Sequence, residues 1–114
     1  MANKQYGNRN DGSKKGTGYL GIFTNSRGED VTEYSVGVNI YGQDIDVPTL
    51  VPTLTGAEVQ EVISASEEGR FPSDTVIRKA QEYATQRLES GLPVFATPKD
   101  EKASRKVRSS LGIK

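Results

Sequence analysis

The sequence of 114 residues contains no cysteine, no histidine and no tryptophan. The lack of cysteine excludes a disulfide scaffold, and without histidine the usual Cys/His zinc sites are excluded as well. The same absences exclude catalysis by a thiol nucleophile or a histidine base. No apolar run approaches the roughly 18 residues of a membrane span. We therefore expect a protein that is not an enzyme, with no metal, no cofactor and no membrane partner.

Fifteen basic and fifteen acidic residues cancel, but the two signs are segregated along the chain. Residues 1–18 carry a net charge of +3 and residues 99–114 a net charge of +4, whereas residues 19–98 carry −7. The termini contain too few apolar residues to offset the entropy of ordering. We expect a flexible, basic, glycine-rich arm (1–18), a small folded body (19–98) and a flexible basic tail (99–114). Two interpretations of the basic termini stay open: they contact a polyanion, or they fold back on the acidic body.

Period-two alternation predicts the strands of the body. Residues 31–40 are rich in β-branched and aromatic side chains, and the even positions from Tyr34 to Ile40 are apolar. Shorter strand-like runs lie before and after it, at 19–24 and 45–47. The short connections predict three strands in an antiparallel meander. The repeated Pro-Thr-Leu of residues 48–54 predicts an extended segment at a sheet edge or outside the sheet.

Two helices are predicted after the strands. Thr55 and Glu58 match a capping box, which predicts a helix from about 56 to 66. Ser73 or Asp74 is expected to begin a second helix. The predicted buried faces are Val59, Val62 and Ile63 in the first helix, and Ile77, Ala80, Ala84 and Leu88 in the second. The expected fold class is α+β, with a small antiparallel sheet of about three strands packed against the two helices.

Two motifs resemble functional sites but lack the necessary context. Residues 16–21 read G-x-G-x-x-G, yet a dinucleotide site needs a strand before the motif and a helix beginning within it. Asp44 and Asp46 would share one face of a strand, but neither a glycosidase pair nor a calcium loop has this pattern. We therefore nominate no catalytic, cofactor-binding or metal-binding residue.

The basic termini contain the candidate contact residues. Flexible positive charge attracts phosphate without sequence specificity, so the tail is expected to contact DNA or an acidic protein, with a solvated terminus as the alternative. The arm is expected to order across a neighbouring molecule. The candidates are Lys102, Arg105, Lys106 and Arg108 in the tail, and Tyr6, Arg9, Lys14 and Lys15 in the arm.

Several stretches of the sequence follow one another in a characteristic order. They are Tyr-Gly-Asn-Arg (6–9), Asp-Gly (11–12), Lys-Gly-Thr-Gly-Tyr-Leu-Gly (15–21), Ser-Val-Gly-Val-Asn (35–39) and Val-Pro-Thr-Leu-Val-Pro-Thr-Leu (47–54). Taken in this order, they resemble a short module of tailed bacteriophages, which occurs as small phage proteins and inside large virion-associated phage and prophage proteins. The resemblance covers roughly residues 6–96, and the family's Lys-Ser-Pro-Phe-Ala-like ending is replaced by Gly-Leu-Pro-Val-Phe-Ala at 91–96.

The resemblance implies a phage origin and a role in the virion, and it attaches no catalytic residues. We expect a non-enzymatic virion-associated structural or accessory protein that docks on other virion proteins in multiple copies, with arms that order on these partners. The alternative is a small nucleic-acid-associated phage protein that acts through its basic tails. The expected location is the virion, after synthesis in the host bacterial cytoplasm.

Overall fold

The computed structural model describes residues 7–9 and 11–113. These residues form strands and helices in separate parts of the chain, so the predicted α+β class is confirmed. The strands are β1 (Phe23–Thr24), β2 (Asp30–Val31), β3 (Ser35–Ile40) and β4 (Gln43–Pro48). The helices are α1 (Gly56–Glu68), α2 (Asp74–Glu89), α3 (Pro98–Lys102) and α4 (Ser104–Ser110).

Strands β3 and β4 form an antiparallel hairpin that pairs Ser35 with Pro48 and Ile40 with Gln43. The alternation seen in the sequence is present, because Val36, Val38 and Ile40 are buried. Tyr41 and Gly42 connect the strands, and both have positive φ angles, of 52° and 81°. Positive φ at both central residues is the geometry of a type I′ turn, whose twist matches the strands it joins.

Helix α2 covers the hairpin. Ser73 caps its first turn, since its side chain accepts a hydrogen bond from the Val76 amide. The predicted face is partly wrong at its end, because Leu88 is exposed and Arg87 is buried instead. Arg87 is buried because its guanidinium group donates hydrogen bonds to Asp100 and to the carbonyl oxygen of Pro93. The hairpin core consists of Val36, Val38, Ile40, Val47, Ala80 and Ala84.

A larger main core lies beneath α1. The predicted capping box is confirmed, since Thr55 and Glu58 each bind the other's backbone amide. Gly69 ends the helix with a φ of 66°, the left-handed conformation that glycine adopts without strain. The Pro-Thr-Leu repeat leaves the sheet and inserts its aliphatic side chains into this core. The main core consists of Tyr19, Leu20, Phe23, Val31, Leu50, Val51, Leu54, Val59, Val62, Ile63 and Val76.

The three-stranded meander is the part of the fold prediction that the structure corrects. Within the described residues there are two separate two-stranded sheets, β1–β2 and β3–β4. The predicted long strand at 31–40 breaks at Tyr34, whose φ of 44° lies outside the extended region. The Tyr34 hydroxyl group donates to the carbonyl oxygens of Ala65 and Arg70 at the end of α1, at 3.1 and 2.7 Å. These contacts hold the bend.

The tail and the described part of the arm also differ from the flexible segments expected. The tail forms most of α3 and all of α4, and α3 begins with a capping box between Thr97 and Asp100. Helices this short are unstable alone in water. Here Val107, Leu111 and Ile113 pack against the main core, which supplies the missing stabilisation. The tail therefore packs on the body through apolar contacts.

Candidate functional site

The four candidate cations of the tail separate into two groups. The side chains of Lys102, Arg105 and Lys106 are exposed. Arg108 instead donates to the carbonyl oxygens of Leu20 and Ile22, at 3.1 and 2.8 Å, and its guanidinium group lies 4.1 Å from the centre of the Phe23 ring. Arg108 therefore fixes α4 to the body, and the other three cations form what we call the tail face.

A groove of about 440 Å³ lies beside the tail face. It runs between α4 and the glycine-rich segment that leads into β1. One wall supplies guanidinium groups and hydroxyl groups, and the other supplies the partly exposed aliphatic side chain of Ile22. The lining residues are Thr17, Gly21, Ile22, Ser104, Arg105, Arg108, Ser109 and Ile113.

The candidate residues of the arm are also placed differently from one another. Arg9 forms a two-pronged ion pair with the buried Glu33, at 2.6 and 3.0 Å, and lies 4.2 Å from the centre of the Phe95 ring. Lys15 is half-buried, and Lys14 is exposed. Tyr6 lies outside the described residues. Arg9 is therefore bound to the protein's own body and is not available to contact a partner.

The glycine-rich motif binds a carboxylate, although no helix begins within it. The backbone amides of Thr17 and Gly18 donate to Glu101 of the tail, at 2.7 and 3.4 Å. A Cβ atom at Gly18 would lie 2.3 Å from the carbonyl oxygen of Thr32, so no larger residue fits without movement. Two of the amides that a phosphate would need are thus occupied by the tail.

Arg87 and Asp100 fix the start of the tail to α2. The Arg87 guanidinium group donates to both Asp100 carboxylate oxygens, at 2.9 and 3.3 Å, and to the carbonyl oxygen of Pro93 at 2.9 Å. Burial raises the pKa of Asp100, but the hydrogen bonds from Thr97 and Arg87 outweigh it and hold that pKa below the usual carboxyl range. Neither this pair nor Glu33 was singled out from the sequence: Glu33 resembles a solvated residue there, whereas the spacing of Thr97 and Asp100 is the local signal of a capping box.

The described residues contain no cluster of three or more acidic side chains placed to hold a metal ion. Asp44 is exposed and accepts a hydrogen bond from Asn39 at 3.2 Å, while Asp46 is half-buried. Among the residues described, no helix has the length and apolarity needed to cross a membrane. The expectation that the protein is not an enzyme stays a prediction.

No protein-family model, curated protein or solved structure matches this chain. The resemblance to the phage module therefore remains a prediction from the motifs of the sequence. The geometry contributes one candidate site, the tail face with its groove, which has exposed positive charge on helices that are fixed to the body.

Proposed function

We propose that this is a non-enzymatic, virion-associated structural or accessory protein of a bacteriophage, which docks on other virion proteins in multiple copies. The phage assignment comes from the sequence resemblance. The observation that supports docking is the tail face: Lys102, Arg105 and Lys106 are exposed, and within the described residues none of them has an acidic partner. Exposed cations next to a groove of mixed polarity favour an acidic protein surface as the partner.

The fixed position of the tail face favours specific docking. Three contacts hold it in place: Arg108 on the carbonyl groups of 20 and 22, Asp100 on Arg87, and Glu101 on the glycine-rich loop. A preformed surface avoids the entropy cost of ordering a segment when the partner binds. The exposed Lys14 is the described arm cation that we propose still reaches a partner, together with the residues that precede Gly7. Each contact is weak, and multiple copies compensate.

The alternative is a nucleic-acid-associated phage protein, and the same three cations favour it. Neutralising three DNA phosphates gives affinity that falls with salt concentration with a logarithmic slope of about −2.7. The body that carries these cations is acidic, with a net charge of −7 over residues 19–98. This charge repels a DNA duplex, which is negative along its whole length, more than it repels a protein whose acidic patch is confined to its contact with the tail face, so we favour a protein partner.

Quantitative mass spectrometry of gradient-purified particles tests the proposal. We expect the protein in the particles at several copies each, and we expect the triple variant Lys102→Glu, Arg105→Glu, Lys106→Glu to be strongly depleted from them. The control is the double variant Arg27→Glu, Arg78→Glu, which reverses two exposed cations outside the tail face that pair with Glu29 and Glu82. Thermal melts establish that both variants fold.

Absence of the wild-type protein from particles, with abundance in the infected-cell lysate, contradicts the proposal. Equal incorporation of the triple variant and the control contradicts docking through the tail face. Retention of the wild-type protein on DNA with the salt slope given above, in place of incorporation into particles, favours the nucleic-acid alternative.

A further inference from the structure

The turn between β3 and β4 places a strained tyrosine on the surface. Tyr41 has a φ of 52°, in a type I′ position that asparagine, aspartate or glycine normally occupies. A bulky residue with positive φ is a conformational outlier, and Tyr41 is 72 % exposed, so it adds little to the core. Strain of this kind, without a gain in packing, points to a contact outside the fold.

Exposed acidic and apolar residues flank Tyr41 and its hydrogen-bond partner Glu89 along the chain. The Tyr41 hydroxyl group donates to Glu89, which joins the turn to the end of α2. Leu88 and Leu92, close by in the chain, are 38 % and 43 % exposed, and Asp44 is exposed on the β4 side of the turn. We call Tyr41, Asp44, Leu88, Glu89 and Leu92 the turn face.

The turn face and the tail face are complementary. One presents two carboxylates beside a tyrosine and two leucines, and the other presents three cations beside the partly exposed Ile22. Among the described residues, no ion pair joins the two faces within one molecule. Each face therefore retains its charge for a second molecule. Tyrosine and arginine are also the residue types that most often dominate binding energy at interfaces.

We propose that the tail face of one copy docks on the turn face of a second copy of this chain. Because the two surfaces differ, the contact is head-to-tail: one copy keeps its turn face free and the other keeps its tail face free, and each free face can bind another molecule. Such a contact builds a ring or a linear array, according to the rotation it imposes. The inference rests on the proposed function in one respect, since it names a neighbouring copy as one of the docking partners.

Sedimentation velocity of the full-length protein over a wide concentration range tests this contact. We expect the sedimentation coefficient of the wild type to rise with concentration at low salt, and to rise less once salt screens the charges. The tail-face variant is Lys102→Glu, Arg105→Glu, Lys106→Glu. The turn-face variant is Tyr41→Asn, Asp44→Lys, Glu89→Lys, in which asparagine suits the turn. Each variant alone is expected to self-associate at least about tenfold more weakly, because like charges then face each other.

Mixing the two variants supplies the decisive result. The tail-face variant keeps its turn face and the turn-face variant keeps its tail face, and the two altered faces again carry opposite charges. The mixture is therefore expected to recover the association that each variant alone has lost. A wild type that stays monomeric at every concentration overturns the proposal, and so does a mixture that recovers no association. The protein is studied alone, so either failure leaves its incorporation into particles to be judged separately.

Discussion

The body and the termini of this protein are held in place by different interactions. Two apolar cores hold the body, one under α1 and one between α2 and the hairpin. The apolar side chains of α4 also pack on the main core, but charged groups make the specific contacts of the termini: Arg9 with Glu33, Glu101 with the glycine-rich loop, and Arg108 with two carbonyl oxygens. Burial of apolar surface is non-directional, whereas each of these polar contacts needs a particular partner. Single substitutions can therefore loosen one terminus while the body stays folded.

The largest effect is expected in the hairpin core. Ala84 is 2 % exposed on the face of α2 that covers the hairpin. Ala84→Asp places a carboxylate without a partner against apolar side chains, and we expect a loss of at least about 3 kcal/mol in the free energy of unfolding. Urea denaturation measures it. Glu82→Ala, on the exposed side of the same helix, is expected to change little, and equal losses would show that the helix is rotated about its axis.

The next largest effect is expected where the arm meets the body. Arg9→Ala leaves Glu33 buried without its ionic partner. We expect a loss of about 3 kcal/mol in the free energy of unfolding, as is typical when one partner of a buried ion pair is removed. Adding Glu33→Gln to Arg9→Ala is expected to recover part of the loss, because the buried group is then neutral. Urea denaturation again provides the measurement.

Lys14→Ala is the matched control for the arm, since Lys14 is exposed. If Arg9→Ala costs no more than Lys14→Ala, the arm is separable from the body, as its composition alone suggested. If only Arg9→Ala lowers the free energy of unfolding, the arm contributes to the stability of the body.

A smaller effect is expected at the contact between tail and glycine-rich loop. Glu101→Gln keeps the shape of the side chain but removes the negative charge of the carboxylate that accepts hydrogen bonds from the Thr17 and Gly18 amides. We expect a loss of about 1 kcal/mol and faster hydrogen exchange at these two amides. Glu82→Gln is the control. Unchanged exchange at Thr17 and Gly18 would show that other contacts hold the tail.

The same contrast explains what the sequence could predict. Local signals were sufficient for the capping box at Thr55 and Glu58 and for the alternation along β3, because each depends on residues a few positions apart. The break at Tyr34 was missed, since tyrosine is a favoured strand residue and its bend depends on acceptors at the end of α1.

The long-range polar contacts of the termini left no local signal, although the capping box of Thr97 and Asp100 did. Arg9 and Glu33 are 24 residues apart, and Glu101 and Thr17 are 84 residues apart. An acidic residue in such a position resembles any solvated carboxylate until the fold brings its partner near. The tail face was found only in part for the same reason: the sequence grouped four cations, and the carbonyl oxygens of Leu20 and Ile22 remove Arg108 from the set.

The smallest effect is expected from the contact between Asp100 and Arg87, and it depends on pH. The pKa of Asp100 lies below the ordinary carboxyl value of about 3.9 in the folded protein. As the pH falls, the unfolded chain therefore binds a proton at this group first, which favours unfolding. The stabilisation is complete at neutral pH, begins to fall as the pH approaches the ordinary value, and is lost once the pH passes below the folded-state pKa.

Asp100→Asn removes this titration and keeps the size of the side chain. We expect the variant to be less stable than the wild type at pH 7, and we expect the difference to shrink as the pH falls from about 5 to about 3, because the wild type then loses its charge as well. Urea denaturation across that range measures the difference. Asp44→Asn, at an exposed position, is the control and is expected to follow the wild type. A difference for Asp100→Asn that stays constant with pH would mean that the charge of Asp100 does not fix the tail, and that its cap on α3 acts through shape and hydrogen bonding alone.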